Sequence, residues 1–527
     1  MFKFKTFAKL CAVAAMAFTI ASCVGGSGQP SKNNMVPDGA VMALKVDANT
    51  ICNKALGEPG SQVRGAFDIA KIYLTASISE IGYESVENVI SEFMKDPSSL
   101  GLNLDAPLVM SATFDVMSVE DEEFAGDVYL VALLDDAAAF EKAADALFEV
   151  AKEEGLTPSK EMLSPRSTYY EFADEDDARL DMALYDRSVV IRLTYDEEMT
   201  GNGKESMAAL FADRPVYTEG LKAFHASSED VALYADYDAL MDKVMPIIKA
   251  TDRSTYNQLK NMMHMYEDAS CLLTLNFNKG NTVLEAQMYG SKEMLDYGKK
   301  YYATSSNKYF DQIPESSFFV VNIALKDLAG ALNEFAELDS EIEDVLYELE
   351  ELGADEEFLA GLPGQITFAI DGDGVDSGYI PDMALFMECD SNVWESLEEV
   401  LICYAEEEDE GCYLVEDLFY VYYENGTIVG MTADMYEDGV YGEFSNSKFA
   451  SSIAKGGLLI DLNALPENVL SDIADGLDLE DNDLLRLVSS VVIKQDKPTS
   501  ATVTVNMGDE DYNMLEALME IIIANAL

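Results

Sequence analysis

Histidine is nearly absent: the 527 residues contain two, His225 and His264. Catalysis by a Ser-His or Cys-His pair needs an imidazole beside the nucleophile, so almost no such pair can be drawn. His264 lies in "YNQLKNMMHMYED", off the face that Leu259, Met262, Met263 and Tyr266 make at helical spacing. Those methionines suit a core better than a copper site. No spacing of His and Cys fits zinc. Tryptophan occurs once, as Trp394, within the apolar periodicity of a helix, and no aromatic cluster offers a sugar platform beside acids. Basic residues are scarce as well. Lys and Arg number 34 against 98 Asp and Glu, a net charge of −64. That field repels nucleic-acid phosphate and anionic headgroups, which excludes nucleic acid as a partner. After the first residues, no run reaches the roughly 18 apolar residues of a spanning helix. The seven cysteines include no CxxC pair. Cys271 and Cys389 lie in apolar, strand-like runs and read as buried free thiols. A Cys403–Cys412 bridge stays open for an oxidising compartment.

What is present begins at the leader. Lys3, Lys5 and Lys9 precede a short apolar run from Leu10 to Ile20 that ends in small residues, the pattern of a secretory signal. Ile20-Ala21-Ser22-Cys23 resembles the lipobox of bacterial lipoproteins, in which the cysteine becomes the mature N-terminus and carries acyl chains. Residues 1–22 are therefore expected to be a lipoprotein signal peptide and Cys23 a lipidation site. Residues 23–35, rich in Gly, Ser and Asn without apolar period, read as a flexible tether. Apolar residues make up 49% of the chain, too many for a disordered acidic polymer. The acids must sit on faces and loops of a filled core.

The chain also repeats itself. "VPDGAVMALKVDANTI" (36–51) aligns without a gap on "IPESSFFVVNIALKDL" (313–328), 277 positions later. "YLVALLDDAAAFEKAADAL" (129–147) matches "MALFMECDSNVWESLEEVL" (383–401), setting Phe140 against Trp394 at a separation of 254. "VALYADYDALMDKVM" (231–245) matches "GGLLIDLNALPENVL" (456–470), with Asp236 against Asp461 at 225. "QMYGSKEML" (287–295) resembles "NMGDEDYNML" (506–515). The order is kept while the separation shrinks, as for a duplicated unit whose second copy has shorter loops. Two homologous halves are expected, 36–302 and 313–527. Asp47, Asp136, Asp236, Asp390 and Asp461 each stand between an apolar run and a helical pattern, where an N-cap belongs. Hairpins are expected for 107–114 with 128–134, 181–185 with 188–194, and 366–370 with 380–387. A further hairpin is expected for 418–423 with 427–432 around the turn "ENG". The expected fold class is α+β, a tandem duplication of a unit with mainly antiparallel sheets and packed helices.

The lipobox, the polar tether, the "VPDGAVMALKVD" opening and this strand–helix order resemble the large uncharacterised lipoproteins of Bacteroidota, catalogued only as a domain of unknown function. The resemblance implies a lipidated envelope protein and carries no catalytic residues over. Surface-exported lipoproteins of those bacteria have acids directly after the cysteine. Val24-Gly25-Gly26-Ser27 departs from that pattern, which favours the periplasmic face of the outer membrane. "TGNGKES" (200–206) lacks the first glycine of a phosphate loop, Glu198 standing there, and reads as a plain loop. Asp371, Asp373 and Asp376 in "DGDGVDSG" have the oxygen chemistry of a calcium loop, but Val375 and the missing closing Glu break the pattern. They read as a solvated hairpin tip, as does the equivalent acidic hairpin at 115–127, and the acidic runs at 171–179 and 404–411 read as exposed loops. No cofactor and no metal site is expected. The best reading is a membrane-anchored, non-enzymatic binding or structural module, its protein or glycan ligand unknown. The alternatives are a carboxylate-dependent hydrolase of polysaccharide or peptide and a Ca²⁺-stabilised structural protein. Mass spectrometry of the mature N-terminus is expected to show a diacyl or triacyl Cys23, and Cys23→Ala should leave unanchored or uncleaved precursor. A mature chain starting elsewhere and released into solution would refute this.

Overall fold

The computed structural model describes residues 35–526 except 38, 59, 68–83, 119–122, 154–156, 165–166, 174–177, 186, 196–202, 211–217, 267, 291, 337–345, 348–355, 363, 373–380, 440–441, 466–468 and 471–486. The leader, Cys23 and residues 24–34 of the tether lie outside the described residues. The chain forms two compact units. One gathers residues 1–257, 266–277 and 513–527, the other 258–265 and 278–512. Both are α+β, with antiparallel sheets and packed helices.

The first unit contains β1 (Met42–Val46), β2 (Leu108–Ser118), β3 (Glu123–Leu133), β4 (Ser159–Ser164), β5 (Ser167–Ala173), β6 (Ala178–Tyr185), β7 (Ser188–Tyr195), β8 (Val231–Asp236) and β9 (Ser270–Asn278). Their spatial order is β4-β5-β6-β7-β3-β2-β1-β8-β9, every pair antiparallel. The second unit contains β10 (Asn281–Tyr289), β11 (Ser317–Leu325), β12 (Gly364–Asp371), β13 (Met383–Glu388), β14 (Glu406–Asp409), β15 (Cys412–Val415), β16 (Phe419–Glu424), β17 (Thr427–Thr432), β18 (Gly457–Asp461), β19 (Val488–Lys497) and β20 (Ser500–Met507). There the order is β14-β15-β16-β17-β13-β12-β11-β18-β19-β20-β10. Adding ten to each strand number of the first unit reproduces the first nine strands of the second. The hairpin between β16 and β17 turns on Asn425 and Gly426, both at positive φ (51° and 80°), the geometry that matches strand twist.

The helices follow their apolar faces. Ala137–Glu153 buries Phe140, Ala143, Ala144, Phe148 and Ala151 against Tyr170, Phe172, Met182 and Leu184 of the sheet. Each large side chain so buried contributes about 1.5–3 kcal/mol. Ser391–Tyr404 follows β13 as Ala137–Glu153 follows β3, and it buries Trp394, stacked on Tyr423 at 5.7 Å. Asp47, Asp136 and Asp236 accept the expected capping bonds from Thr50, Ala138 and Ala239 amides at 2.9–3.0 Å. Asp461 caps only a single turn, Leu462–Ala464. Asp390 stands at an N-cap without a side-chain bond.

Two inward-facing strand positions carry polar side chains that the apolar pattern concealed. Strand alternation puts Lys45 on the covered face beside Ala43, and the residue is 4% exposed. It donates to the carbonyls of Phe224, His225 and Ser227 at 2.6, 3.3 and 2.6 Å, where the helix Glu219–Ala226 ends. Asn322, 277 residues on, is fully buried. Its Nδ2 donates to the Ile453 and Ala454 carbonyls at 2.9 and 3.4 Å, at the end of the helix Ala450–Ile453. Its Oδ1 accepts from Gln365 and Thr367 at 2.8 and 3.1 Å. The last carbonyls of a helix lack intrahelical donors, and both residues supply them from the sheet.

The acidic run at 404–411, read above as an exposed loop, instead makes the edge strand β14, all four residues exposed. Alternation is invisible in a stretch with no apolar residue, whereas pairing with β15 needs only its backbone. Asn322→Leu should cost roughly 2–4 kcal/mol in urea unfolding, because it orphans buried donors and acceptors. Lys45→Met should cost less near neutral pH, since burial pulls the Lys45 pKa down to about 8. Between pH 8 and 10 the unfolded state holds a proton that the native state lacks. Wild-type stability therefore rises relative to Lys45→Met across that window, by roughly 1–3 kcal/mol.

Candidate functional site

In the second unit, β19, β20 and β10 pair so that one face presents polar residues in register. Asn281 lies opposite Asn506, which lies opposite Ser490, and Thr504 lies opposite Val492. Asn506 Nδ2 donates to Ser490 Oγ at 2.9 Å, fixing the amide. A bulge between Val488 and Ser490 inserts Ser489 as an extra residue, 5% exposed, and bulges of this kind re-aim side chains. Over this face lies a cavity of about 470 Å³. Its floor is Asn281, Ser489, Val492, Lys494, Thr504 and Asn506. Lys448, Phe449 and Ser452 close one side, and Lys279, Gly280, Met507 and Glu510 the other.

Each wall is held by backbone. Gly280, at φ +77°, donates to the Tyr512 carbonyl and accepts from the Met507 amide, both at 2.8 Å. A Cβ there would come within 2.9 Å of the Glu510 carbonyl oxygen, so the close approach requires glycine. Phe449 is buried in the core formed with Phe310, Phe444 and Ile453, which places Lys448 at the rim, its ammonium 4.9 Å from the Phe449 ring centre. Three lysines and one glutamate line the cavity in a chain where acids outnumber bases 98 to 34. Among the described residues of the lining, the local sign is the reverse of the global one.

A second polar cluster lies in the first unit. Arg192, fully buried, pairs with Asp127 at 2.9 Å and Asp181 at 3.0 Å. Asp181 also accepts from Arg179 at 2.8 Å and from Tyr169 at 2.6 Å, and Thr194 donates to Asp127 at 2.8 Å. Burial and the Asp181 charge push the Tyr169 pKa well up. Gly203 lets a helix approach this cluster, for a Cβ there would collide with Asp181 Oδ2. The carboxylates are matched by guanidinium groups, an arrangement that orders a core.

The residues singled out in the sequence fall elsewhere. Asp371 is 7% exposed at the end of β12, while Asp373 and Asp376 lie outside the described residues. Asp127, assigned to a solvated tip, is inside the ion cluster because β3 continues through it. "TGNGKES" enters the helix Gly203–Leu210 at its fourth residue. His225 is half-buried, and burial together with Lys45 lowers its pKa to about 4, so the ring is neutral at ordinary pH. His264 lies on the helix Arg253–Tyr266, its side chain outside the described set. Cys271, Cys389, Cys403 and Cys412 are free thiols, Cys271 and Cys389 buried as expected, so Cys403 and Cys412 are not bridged. Among the described residues, no helix is long and apolar enough to cross a membrane. The cavity residues went unnoticed because none forms a motif. The available signal was sign, three lysines beside Ser, Thr and Asn in an acidic chain.

A family model described as "Domain of unknown function (DUF4836)" matches residues 32–422. Neither the curated proteins nor the solved structures contain a match. For the ion cluster, Arg192→Met should cost about 3–5 kcal/mol by leaving Asp127 and Asp181 buried against each other. Asp127→Asn added to it should recover part of that loss, a coupling measurable by chemical denaturation of the four proteins of the cycle.

Proposed function

We propose, from the premise that the chain belongs to the family described as a domain of unknown function, DUF4836, that it is a membrane-anchored envelope lipoprotein and a non-enzymatic binding module. The anchor is an acylated Cys23, on the side of the envelope favoured by Val24-Gly25-Gly26-Ser27, the periplasmic face of the outer membrane. The ligand enters the cavity over β19, β20 and β10. One observation carries the reading. Among the described residues that line the cavity, Glu510 is the single carboxylate, and imidazole and thiol are absent. Glycoside hydrolysis in its usual form needs two carboxylates flanking the scissile bond, and a serine nucleophile needs a base. The cavity has the size of small-molecule sites, roughly 300–1,000 Å³.

The fold arises, in this reading, from a tandem duplication with halves 36–302 and 313–527. The shared strand order, the burial of both Phe140 and Trp394, and the equivalent placement of Lys45 and Asn322 support it. The halves cut the chain by descent, whereas the compact units cut it by contact. Thus β10, from the first half, pairs with β20, and the helix Met514–Ala526, from the second, packs on Ala48–Leu56.

The test is thermal. The full chain in detergent is melted against sugars, sugar acids, sugar phosphates, amino acids and nucleotides at constant ionic strength. At least one class should raise Tm by about 2–6 °C at saturating ligand, leave the ligand chemically unchanged, and lose its effect in Ser452→Trp, which fills the cavity from its exposed wall. A flat response, or shifts equal in both proteins, defeats the binding reading. Turnover of the ligand defeats the non-enzymatic part.

A further inference from the structure

We infer that the open face of β1, β2, β3 and β7 in the first unit is a docking surface for a basic amphipathic helix of a partner protein. The cavity of the second unit plays no part in it. In β3 and β7 the usual order of a sheet is inverted. Asp127, Arg192 and Thr194 are buried, whereas Val128 and Leu193, on the opposite face of the same strands, are 41% and 49% exposed. Strand register extends this apolar face. Leu193 lies opposite Val128, Val128 opposite Ala112, and Ala112 opposite Met42. Met42 is 48% exposed, and Met110, two residues from Ala112 on the same face, is 41% exposed. The neighbouring row of Leu44, Met110, Leu130 and Ile191 is apolar throughout. Side chains without donors or acceptors have nothing to offer a sugar or an ion.

The second unit shows how such a face is filled. Phe319 stands there as Met42 does in the first unit, and Phe368 lies opposite Val321 as Met110 lies opposite Leu44. Their rings meet edge-on at 6.1 Å, and neither residue is exposed. The methionines of the first unit are flexible and adapt to apolar surfaces of differing shape. The four exposed side chains offer on the order of 300 Å², well below the roughly 800 Å² that each partner gives to a stable dimer. Two copies of net charge −64 also repel each other, so a second copy fits poorly. A helix laying an apolar stripe on the face needs only a few such anchors.

Charge gives the sign of the partner. Asp47, Asp105 and Asp135 stand at the end of the sheet where Val46 meets Leu108. Asp236, Asp238, Asp242 and Asp268 gather at the other end, where β8 passes into the helix Tyr237–Thr251. After burial, the charges of Asp135 and Asp47 raise the Asp105 pKa, and those of Asp242, Asp236 and Asp268 raise that of Asp238. Among the described residues, none of these carboxylates forms an ion pair. The Asp236 amide donates to the Val41 carbonyl at 2.9 Å, and Asp47 lies six residues beyond Val41. At about 3.3 Å per residue the two groups are roughly 20 Å apart. A helix of about 14 residues spans that distance, with its apolar stripe on the methionines and a lysine or arginine near each acidic group.

Detergent would itself cover an apolar face, so the full chain is studied with nanodiscs of zwitterionic phosphatidylcholine, and titrations are corrected with empty discs. The probe is a peptide of about 14 residues with leucines at helical spacing and lysines between them. Its controls are a scramble without an apolar face and a version with glutamate in place of lysine. The Leu/Lys helix should bind at least about 10-fold more tightly than the scramble, and the Leu/Glu helix should not bind. Met110→Gln and Leu193→Gln should each weaken the Leu/Lys helix about 5-fold or more, as should Asp105→Asn combined with Asp242→Asn. Met162→Gln, on the exposed edge strand β4, should leave it unchanged. Unaltered melting curves without peptide verify that the variants fold. Peroxide should oxidise Met42 and Met110 in the free chain and spare them once the peptide is added, with Met162 oxidised throughout. Equal binding of helix and scramble, equal losses in Met162→Gln, or no binding at all overturns the inference. Protection of Met42 and Met110 before peptide is added means that the bilayer or a second copy covers the face, and overturns it as well.

Discussion

The hydrogen bonds from Lys45 and Asn322 tie the central strands to the layer above them, and much of each unit depends on that tie. β1 is paired on both sides, by β2 and β8, and β11 by β12 and β18. A side chain on the covered face of such a strand has no route to water. A polar group there is costly unless each of its bonds is made. The helix ends above have the complementary need, carbonyls without donors. One residue meets both conditions at once, with an ammonium in the first unit and a carboxamide in the second. The strand order that spreads outward from β1 and β11 is the same in both units, and this contact sits at its centre.

The acidity is distributed by the same reasoning. Many carboxylates lie at rims, as in β14, whose four acids are all exposed. A charged edge strand of this kind resists pairing with another chain. Where carboxylates are buried they meet guanidinium, as Asp127 and Asp181 meet Arg192 and Arg179. With only 34 basic residues in the chain, the positions of the cations are informative. Some hold the interior of the first unit, and three line the cavity of the second.

That cavity owes its form to strand register. Lys279 and Asn281 precede the stretches that bring Lys448, Ser489 and Thr504 by well over a hundred residues. They meet because β10 pairs with β20 and β20 with β19. A one-residue slip in either pairing would turn Thr504 and Asn506 to the opposite face. The bulge at Ser489 and the glycine at 280 are small departures from regular backbone, and both lie in the cavity wall.

The linear sequence by itself determined the α+β class, the hairpins, most helix caps and the family, because those rest on local periodicity and on capping chemistry a few residues long. It also carried the two aligned segments in which Lys45 and Asn322 correspond, although nothing local disclosed that these polar residues face inward. Tertiary structure alone decided that Asp127 is inside and paired, that residues 406–409 form a strand, and that three distant lysines share a cavity. The physical reason is the same in each case. Burial, pairing and electrostatic potential depend on which segments become neighbours across the sheet, and spacing along the chain does not encode that distance.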